Sequence, residues 1–343
     1  MLIDSQNSFG ACLRSSGFIL EQYSALLGSI LVGIELGILR REATGGITMS
    51  DCIRLSTLNT GNGGYPGFNE FTTERAAHNV ILLFQEVHRS KKVMSLPIEF
   101  WPADPGKRRY TVRTHLADEI QTLIGNTHRL HFASQIEGCH DFEDPVTRGL
   151  YYGQLTAIPK QYKVRSVHPH MIYREHGALN EERNRGLPCA KVSQVFHIRH
   201  RGLEKPIIVV NLHGFTSIHG KVDIPARYEQ NRGIAQAVER YRRRLFGQTA
   251  QVEVLLAGDL NYTSHMNALS DLLNQPIFGE GGGVNLNERF GITRTRTRYY
   301  QDWARVPEAD FAIVSQGLAP YTSLAVNLDA PSDHGELQIT IDC

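Results

Sequence analysis

The sequence predicts an α/β chain with one large domain from about residue 49 to the end, and three observations carry that reading. β-rich apolar runs alternate with helical patterns, no internal repeat or low-complexity linker divides them, and the buried runs end in polar residues. The 343 residues are 41% hydrophobic and 21% charged, an ordinary globular usage that excludes wholesale disorder. A chain of this length buries a large core without staples.

The stretch from Phe18 to Leu39 is the most apolar in the chain, but Glu21, Gln22 and Glu35 interrupt it. It therefore falls short of a membrane span, and residues 1–48 read as a helical appendage. Membrane association through residues 18–39 is the lesser reading. Met49 stands just before the first convincing strand, as an alternative start.

From there the elements follow in order. Cys52–Leu58 is a β-rich run ending at Asn59 and the glycine-rich turn Gly61-Asn62-Gly63-Gly64. Thr72 or Thr73 is expected to cap a short helix through Ala77. Val80–Phe84 reads as a buried strand that stops at Gln85-Glu86, and residues 87–150 give no periodic signal. Tyr151–Ile158, Val192–Ile198 and Pro206–Leu212 read as strands. Asp223 is expected to cap a helix with Pro225 in its first turn, on which Ile234, Val238, Tyr241 and Leu245 share a face and which Gly247 closes. Val252–Ala257, Asp310–Val314 and Glu336–Ile341 complete the set.

Charge and cysteine usage bound the partners. Lys+Arg 36 against Asp+Glu 35 gives a formal net charge of +1, so a polyanion would have to be met by a local patch. Five cysteines (Cys12, Cys52, Cys139, Cys189 and Cys343) include no CxxC pair, which points to free thiols and a cytoplasmic protein. The absence of a GxxxxGK[ST] run argues against a nucleotide cofactor held by a phosphate-binding loop, and the absence of GxSxG argues against a serine hydrolase.

The polar residues at strand ends carry the chemistry. They are Asn59, Glu86, His213, Asp259 with Asn261, and Asp333 with His334, while Asp310 opens a strand. Side chains at the ends of core strands converge on one rim. This set supplies oxygen ligands for a hard cation and imidazoles that move protons near neutral pH, but it lacks the cysteine or histidine spacing of a zinc site.

The order STLNTGN, LLFQEV, VNLHG, GDLN, ADFAIVS and SDH resembles the endonuclease/exonuclease/phosphatase superfamily, whose best-known shape is that of deoxyribonuclease I, over about residues 52–341. The resemblance implies a four-layer α-β-β-α sandwich of two mixed β-sheets with its site at one edge, and hydrolysis of a phosphate ester. It implies that Glu86 is the main ligand of a Mg²⁺ or Mn²⁺ ion, helped by Asn59 and Asp333. Asp259 would orient or deprotonate the attacking water, and Asn261 would hold a phosphate oxygen. His334 would pair with Asp310, and His213 would contact the phosphate or assist the leaving group.

Three features lean toward a nucleic-acid substrate. Arg294, Arg296 and Arg298 alternate in TRTRTRYY, so an extended segment would present them on one side beside Tyr299 and Tyr300. Arg185 falls where related nucleases carry a substrate-facing arginine, and Lys91, Lys92, Lys107, Arg108 and Arg109 add charge. Arg227 matches a family position opening its helix, and Arg240 with Arg242–Arg244 reads as a solvated face. A nuclease is thus expected first, a phosphatase or phospholipase-type hydrolase second, and a catalytically inactive binding module third.

Overall fold

The computed structural model describes residues 52–63, 65–90, 98–100, 110–137, 150–164, 166–174, 190–215, 221–248, 250–297 and 307–343, which belong to one unit, Cys52–Cys343. The expectations for residues 1–48 lie outside the described residues. The elements in chain order are β1 (Cys52–Asn59), α1 (Phe68–Ala77), β2 (Ile81–Ser90), β3 (Ile98–Phe100), β4 (Tyr110–Val112), α2 (Leu116–Ile124), β5 (His128–Glu137), β6 (Leu150–Pro159), β7 (His168–Arg174) and β8 (Ala190–Ile198). They continue with β9 (Ile207–His213), α3 (Pro225–Phe246), β10 (Glu253–Asp259), α4 (Asn267–Leu273), β11 (Gly283–Asn285), α5 (Leu286–Arg289), β12 (Asp310–Ser315), β13 (Thr322–Asn327) and β14 (Glu336–Asp342).

Two six-stranded mixed sheets form, in the orders β13-β14-β1-β2-β6-β5 and β11-β12-β10-β9-β8-β7, with β3 and β4 as a separate pair. The parallel pairs are β1 with β2 and β9 with β10. Each sheet buries both faces, which is why its central strands read as continuous apolar runs. Ile53, Leu55, Leu83, Phe196, Val209 and Leu255 fill the space between the sheets. The outer face of the second sheet packs on α3 and α4 through Val210, Leu256, Ile234 and Leu269. The outer face of the first packs on α1 and α2 through Leu82, Phe84, Phe68 and Ile120. These are the four layers the resemblance implies.

Below the rim, the inter-sheet space turns polar. Gln85 Nε2 donates to Asn211 Oδ1 at 2.7 Å and to Thr57 Oγ1 at 3.1 Å. Asn211 Nδ2 in turn reaches Thr156 Oγ1 and Gln194 Oε1, each at 3.2 Å. This amide seam joins β2 of one sheet to β9 of the other, one residue before Glu86 and two before His213.

Several local expectations are corrected. Thr72 and Thr73 lie inside α1, which starts at Phe68 after Gly67, and their hydroxyls bond back to Phe68 and Asn69 carbonyls. Strand β2 does not stop at Glu86: it steps through a bulge and runs on to Ser90. Asp223 does not cap α3, whose N-cap is Ile224; its carboxylate instead accepts the Asn267 and Ala268 amides that open α4. Gly247 does close α3, at φ 91°. Residues 87–150 contain α2 and β5, although α2 buries Leu116, Ala117, Ile120 and Ile124 on one face.

Candidate active site

Strand direction gathers the polar strand ends. Because β9 and β10 are parallel, His213 and Asp259 end neighbouring strands at one rim, where Asn59, at the end of β1 in the facing sheet, meets Asp259; β12 runs antiparallel to β10, so its first residue, Asp310, lies opposite Asp259. Glu86 reaches the same rim only because the bulge between Phe84 and Val87 lets it adopt φ 56°. That left-handed backbone is costly for a residue with a Cβ and is held by the pairing on either side.

Asn59 links the two central carboxylates. Its Nδ2 donates to Glu86 Oε1 at 3.1 Å and to Asp259 Oδ2 at 2.9 Å, while its Oδ1 accepts the Gly61 amide at 3.0 Å. His213 Nε2 lies 3.8 Å from Glu86 Oε1 and 3.9 Å from Asp259 Oδ2. Asp259 Oδ1 accepts the backbone amide of Asn261, itself at φ 56°, and Asn261 Nδ2 donates to Gly214 O at 3.4 Å. His334 Nδ1 lies 2.8 and 3.0 Å from the two oxygens of Asp310, and its Nε2 is 3.7 Å from Asp259 Oδ2. A carboxylate only accepts, so Nδ1 carries the proton. The expected Asp310–His334 pairing is therefore present as a geometry.

Asp333 borders this cluster. Its Oδ1 would sit 2.8 Å from a Cβ at position 61, where φ is 52°, so the turn after Asn59 needs glycine twice over. Tyr65 bonds to Asp333, and its hydroxyl is pushed up by burial first and by the Asp333 and Glu86 charges next.

The arginines divide differently from the one-sided row the sequence suggests. Arg296 is buried at 5% exposure: its Nη1 contacts His334 Nε2 and lies 3.6 Å from Asp333 Oδ2. Arg294 is half-buried and spends its Nε on the Arg296 carbonyl at 2.7 Å. Burial thus carries Arg296 into the cluster itself, beside His334 and Asp333. Arg185 and Arg298 lie outside the described residues, as do Lys91, Lys92, Lys107, Arg108 and Arg109. Arg227 is fully buried and holds the β9–α3 connection through the Phe215 and Val222 carbonyls.

The electrostatics follow from this packing. Burial raises the pKa of Glu86, Asp333 raises it further, and the Asn59 hydrogen bond opposes them, leaving it above the ordinary carboxylate value. For Asp259, burial also pushes upward, but His334, His213, Arg296 and Lys221 outweigh it and hold the carboxylate well below its usual range. His334 is pushed down by burial and Arg296; Asp310, Asp259 and Asp333 prevail and raise it. The Arg296 contact uses the lone pair of Nε2, so it exists only with the neutral ring, and protonating His334 requires Arg296 to move away.

A hard divalent cation fits this donor set: Glu86, His213 and Asp259 offer ligand atoms within 4.8 Å of one another, two of them carboxylate oxygens whose burial a cation would relieve. Sequence reading missed Tyr65 and Lys221. Lys221 Nζ donates to Tyr262 O at 3.2 Å and to Glu308 O, tying the β9–α3 connection to the segments after Asp259 and before Asp310. Neither has a motif of its own; their nearness to Asn59 and His213 in sequence is the one signal.

Fold and site together define an α-β-β-α sandwich with a carboxylate–imidazole cluster at one rim. A family model described as the Endonuclease/Exonuclease/phosphatase family matches residues 57–334, and the chain belongs to that family, whose members are hydrolases of phosphoester bonds and typically depend on divalent metal. Among solved structures, an endonuclease/exonuclease/phosphatase family protein from Leptotrichia buccalis is 14% identical, with TM-score 0.53 over 85% of this chain and 100% of its own. Truncated TDP2 from Caenorhabditis elegans is 14% identical, with TM-score 0.51 over 85% of this chain and 98% of its own. A mannosyl-6-phosphatase from Bacteroides thetaiotaomicron is 11% identical, with TM-score 0.51 over 84% and 98%. At such identities these likenesses show the fold. No curated protein matches the chain. No helix among the described residues is long and apolar enough to cross a membrane.

Proposed function

We propose that the chain is a divalent-metal-dependent phosphodiesterase acting on nucleic acid. The observation that carries the proposal is the gathering of Asn59, Glu86, His213, Asp259, Asp310 and His334 from the ends of β1, β9 and β10, the bulge of β2, the start of β12 and the turn before β14 into one cluster. Glu86 and Asp259, bridged by Asn59 and bordered by Asp333, would hold Mg²⁺ or Mn²⁺, which supplies charge to offset that building on the phosphorus oxygens. Asp259, kept ionised by its cationic neighbours, is too weak a base to take a proton outright and instead orients the attacking water through an oxygen. His213 faces the same space and hydrogen-bonds a phosphate oxygen. Asp310 fixes the tautomer of His334, so that Nε2 faces the reacting group once Arg296 has swung onto the substrate phosphate.

One observation favours a second reading, a phosphatase of a small phosphorylated molecule. Arg296 sits inside the cluster, where an added cation suits the dianionic charge of a terminal phosphate. The test is a panel of single-stranded, double-stranded, abasic, 5′-tyrosyl and sugar phosphate substrates, with Mg²⁺, Mn²⁺ or EDTA. A nuclease loses activity steeply with salt, whereas a small-substrate phosphatase does not. Glu86→Gln should cost roughly a hundredfold or more in rate and leave thermal stability equal or higher, because it removes a part-buried charge crowded by Asp333 and Asp259. Full activity in EDTA, or in Glu86→Gln, would refute the metal-dependent reading.

A further inference from the structure

In sequence Arg240 and Arg242–Arg244 read as one solvated face, and the structure splits them in two. Arg242 and Arg243 turn to Glu239, whose carboxylate takes both guanidinium groups. Arg240 and Arg244 lie exposed on the other flank of α3 with Arg232, and none of these three makes an ion pair or hydrogen bond among the described residues. They stand at steps of four residues, with Gln236 between the first two, and so follow one ridge of the helix over about 18 Å. Arg240 and Arg244 repel each other at this spacing, and no carboxylate pairs with either.

The ridge runs beside the edge strand β7. A Cβ at Gly233 would meet the Ile172 carbonyl oxygen at 1.9 Å, so helix and strand touch there through their backbones. Further from the rim, the His168 ring packs edge-on to Tyr241 at 5.4 Å. Along this seam a cleft of about 650 Å³ is lined by Met171, Ile172, Tyr173, Arg232, Gln236 and Arg240, with Glu229 as its one carboxylate. Its upper end adjoins the active-site rim. Met171, 42% exposed, pairs with Val192, and Ser193 pairs with Leu212, so Met171 stands level with His213, two strands away. The Tyr173 ring meets Phe215, two residues after His213, edge-on at 5.0 Å. Burial, followed by Arg244 for His168 and Arg240 for His170, lowers the pKa of both rings, which leaves the arginines as the cations of this strip at neutral pH.

We infer that the α3–β7 ridge is an interaction surface for the phosphate backbone of a single-stranded nucleic acid, which leaves the catalytic rim past Phe215 and Tyr173 and lies along Arg232, Arg240 and Arg244. A single row of unpaired guanidinium groups of this length meets several consecutive phosphates of one strand, whose charge relieves the repulsion along the helix. The half-buried Tyr173 and Phe215 rings offer a base a stacking surface where the strand crosses from rim to cleft. An acidic peptide would satisfy the arginines but would have no reason to pass the rim. This path presupposes the rim's role as a phosphodiesterase of nucleic acid and adds where the uncut strand runs.

The test is fluorescence anisotropy of a labelled oligothymidylate of about 30 nucleotides, long enough to span rim and ridge together, bound by the full chain in EDTA at several salt concentrations. Wild type is compared with the triple variant Arg232→Gln, Arg240→Gln, Arg244→Gln and with Arg243→Gln, which removes a neighbouring charge already paired with Glu239. The triple variant should bind roughly tenfold or more weakly. Its plot of log affinity against log salt should be shallower by about 2, since each single-strand phosphate contact contributes about 0.7. Arg243→Gln should change neither quantity, and Mg²⁺-dependent hydrolysis of the small diester bis(p-nitrophenyl) phosphate should be the same in the triple variant as in wild type. An affinity and slope unmoved by the triple substitution, or lowered as much by Arg243→Gln alone, would overturn the surface. Polyglutamate that competes as well as an oligonucleotide of equal charge would assign the ridge to an acidic protein and overturn the nucleic-acid path. Oligonucleotide binding that depends on the three arginines, in a chain that hydrolyses no phosphodiester, would instead overturn the catalytic reading and leave the surface in place.

Discussion

Replacing Asp310 by Asn tests the proton-handling half of the site. Both Asp310 oxygens lie within 3.0 Å of His334 Nδ1, in a pair that is almost wholly buried. At about 4 Å between charge centres and an effective dielectric near 20, the pair is worth about 4 kcal/mol to the charged ring. Asparagine keeps the shape but loses this charge, and its amide offers Nδ1 a donor as readily as an acceptor. With the carboxylate gone, burial and Arg296, which both lower the His334 pKa, are opposed only by Asp259 and Asp333. The limb of the pH–rate profile that reports this ring should therefore move toward acid, and kcat should fall roughly a thousandfold on the same 4 kcal/mol. The assay is kcat against pH between 5 and 9 on whichever phosphoester the substrate panel selects, with Arg296→Met alongside to expose movement caused by that contact. An Asp310→Asn enzyme with unchanged kcat and an unmoved profile would refute the pairing.

Two further expectations concern the framework. Asn211→Leu cuts the amide seam between Gln85 and Gln194, so unfolding should cost about 1–3 kcal/mol less. Because the seam sets the spacing of Glu86 and His213, kcat should also fall roughly tenfold to a hundredfold and Mg²⁺ affinity should drop; a loss of melting temperature alone would show that the seam only holds the sheets. Glu336 is fully buried, and Arg75, at 18% side-chain exposure, donates to both its oxygens at 2.7 and 2.8 Å. Burial alone would raise the Glu336 pKa, but hydrogen bonds from Arg75, Ser56 and Gln338 hold it below the ordinary value. This pair therefore stabilises the fold above the ordinary carboxylate pKa and loses that contribution as pH falls through the lowered one. Arg75→Ala should cost about 3–5 kcal/mol at pH 7 and let burial dominate. The acid slope of this group then inverts, and the variant's deficit should narrow between pH 7 and pH 4 in urea unfolding. A deficit constant with pH would contradict it.

Much of the frame was legible because burial writes itself into composition. Runs such as VILLF, PIIVVNL and VEVLLA are almost wholly apolar since helices cover both outer faces, and their polar exceptions are Asn211 in the amide seam and Glu253 at the start of β10. Strand β7 was not legible: it is an edge strand whose HPHMIYR carries histidines and an arginine, so neither alternation nor apolar run marks it. The Asp223 capping expectation failed for a related reason. A carboxylate beside a helix start serves whichever amides the tertiary fold brings near, and here those belonged to α4, over forty residues along the chain. The placement of Arg296 was not legible either, because alternation fixes which side a residue faces only where a strand exists, and among the described residues Arg296 forms an isolated bridge with His334.

The site itself was legible as a set of residue types and illegible as a geometry, and the reason lies in its backbone. Of the three non-glycine residues at positive φ among the described ones, two are Glu86 and Asn261, and Gly61 at φ 52° supports Asp333 from the third side. The apolar run predicts that β2 stops at Gln85-Glu86, and a regular strand would carry Glu86 to the outer face, toward Leu82 and Phe84. The bulge turns it inward and lets pairing resume at Val87, so the strand continues beyond the very residue that interrupts it. A regular sheet end would leave the carboxylates 86 and 259 on whichever faces alternation assigns them; the left-handed residues bring Glu86 and Asp259 to the same Asn59 amide. The strain is thus stored where the charges have to meet, and a sequence pattern, which counts periods, registers only that a period was broken there.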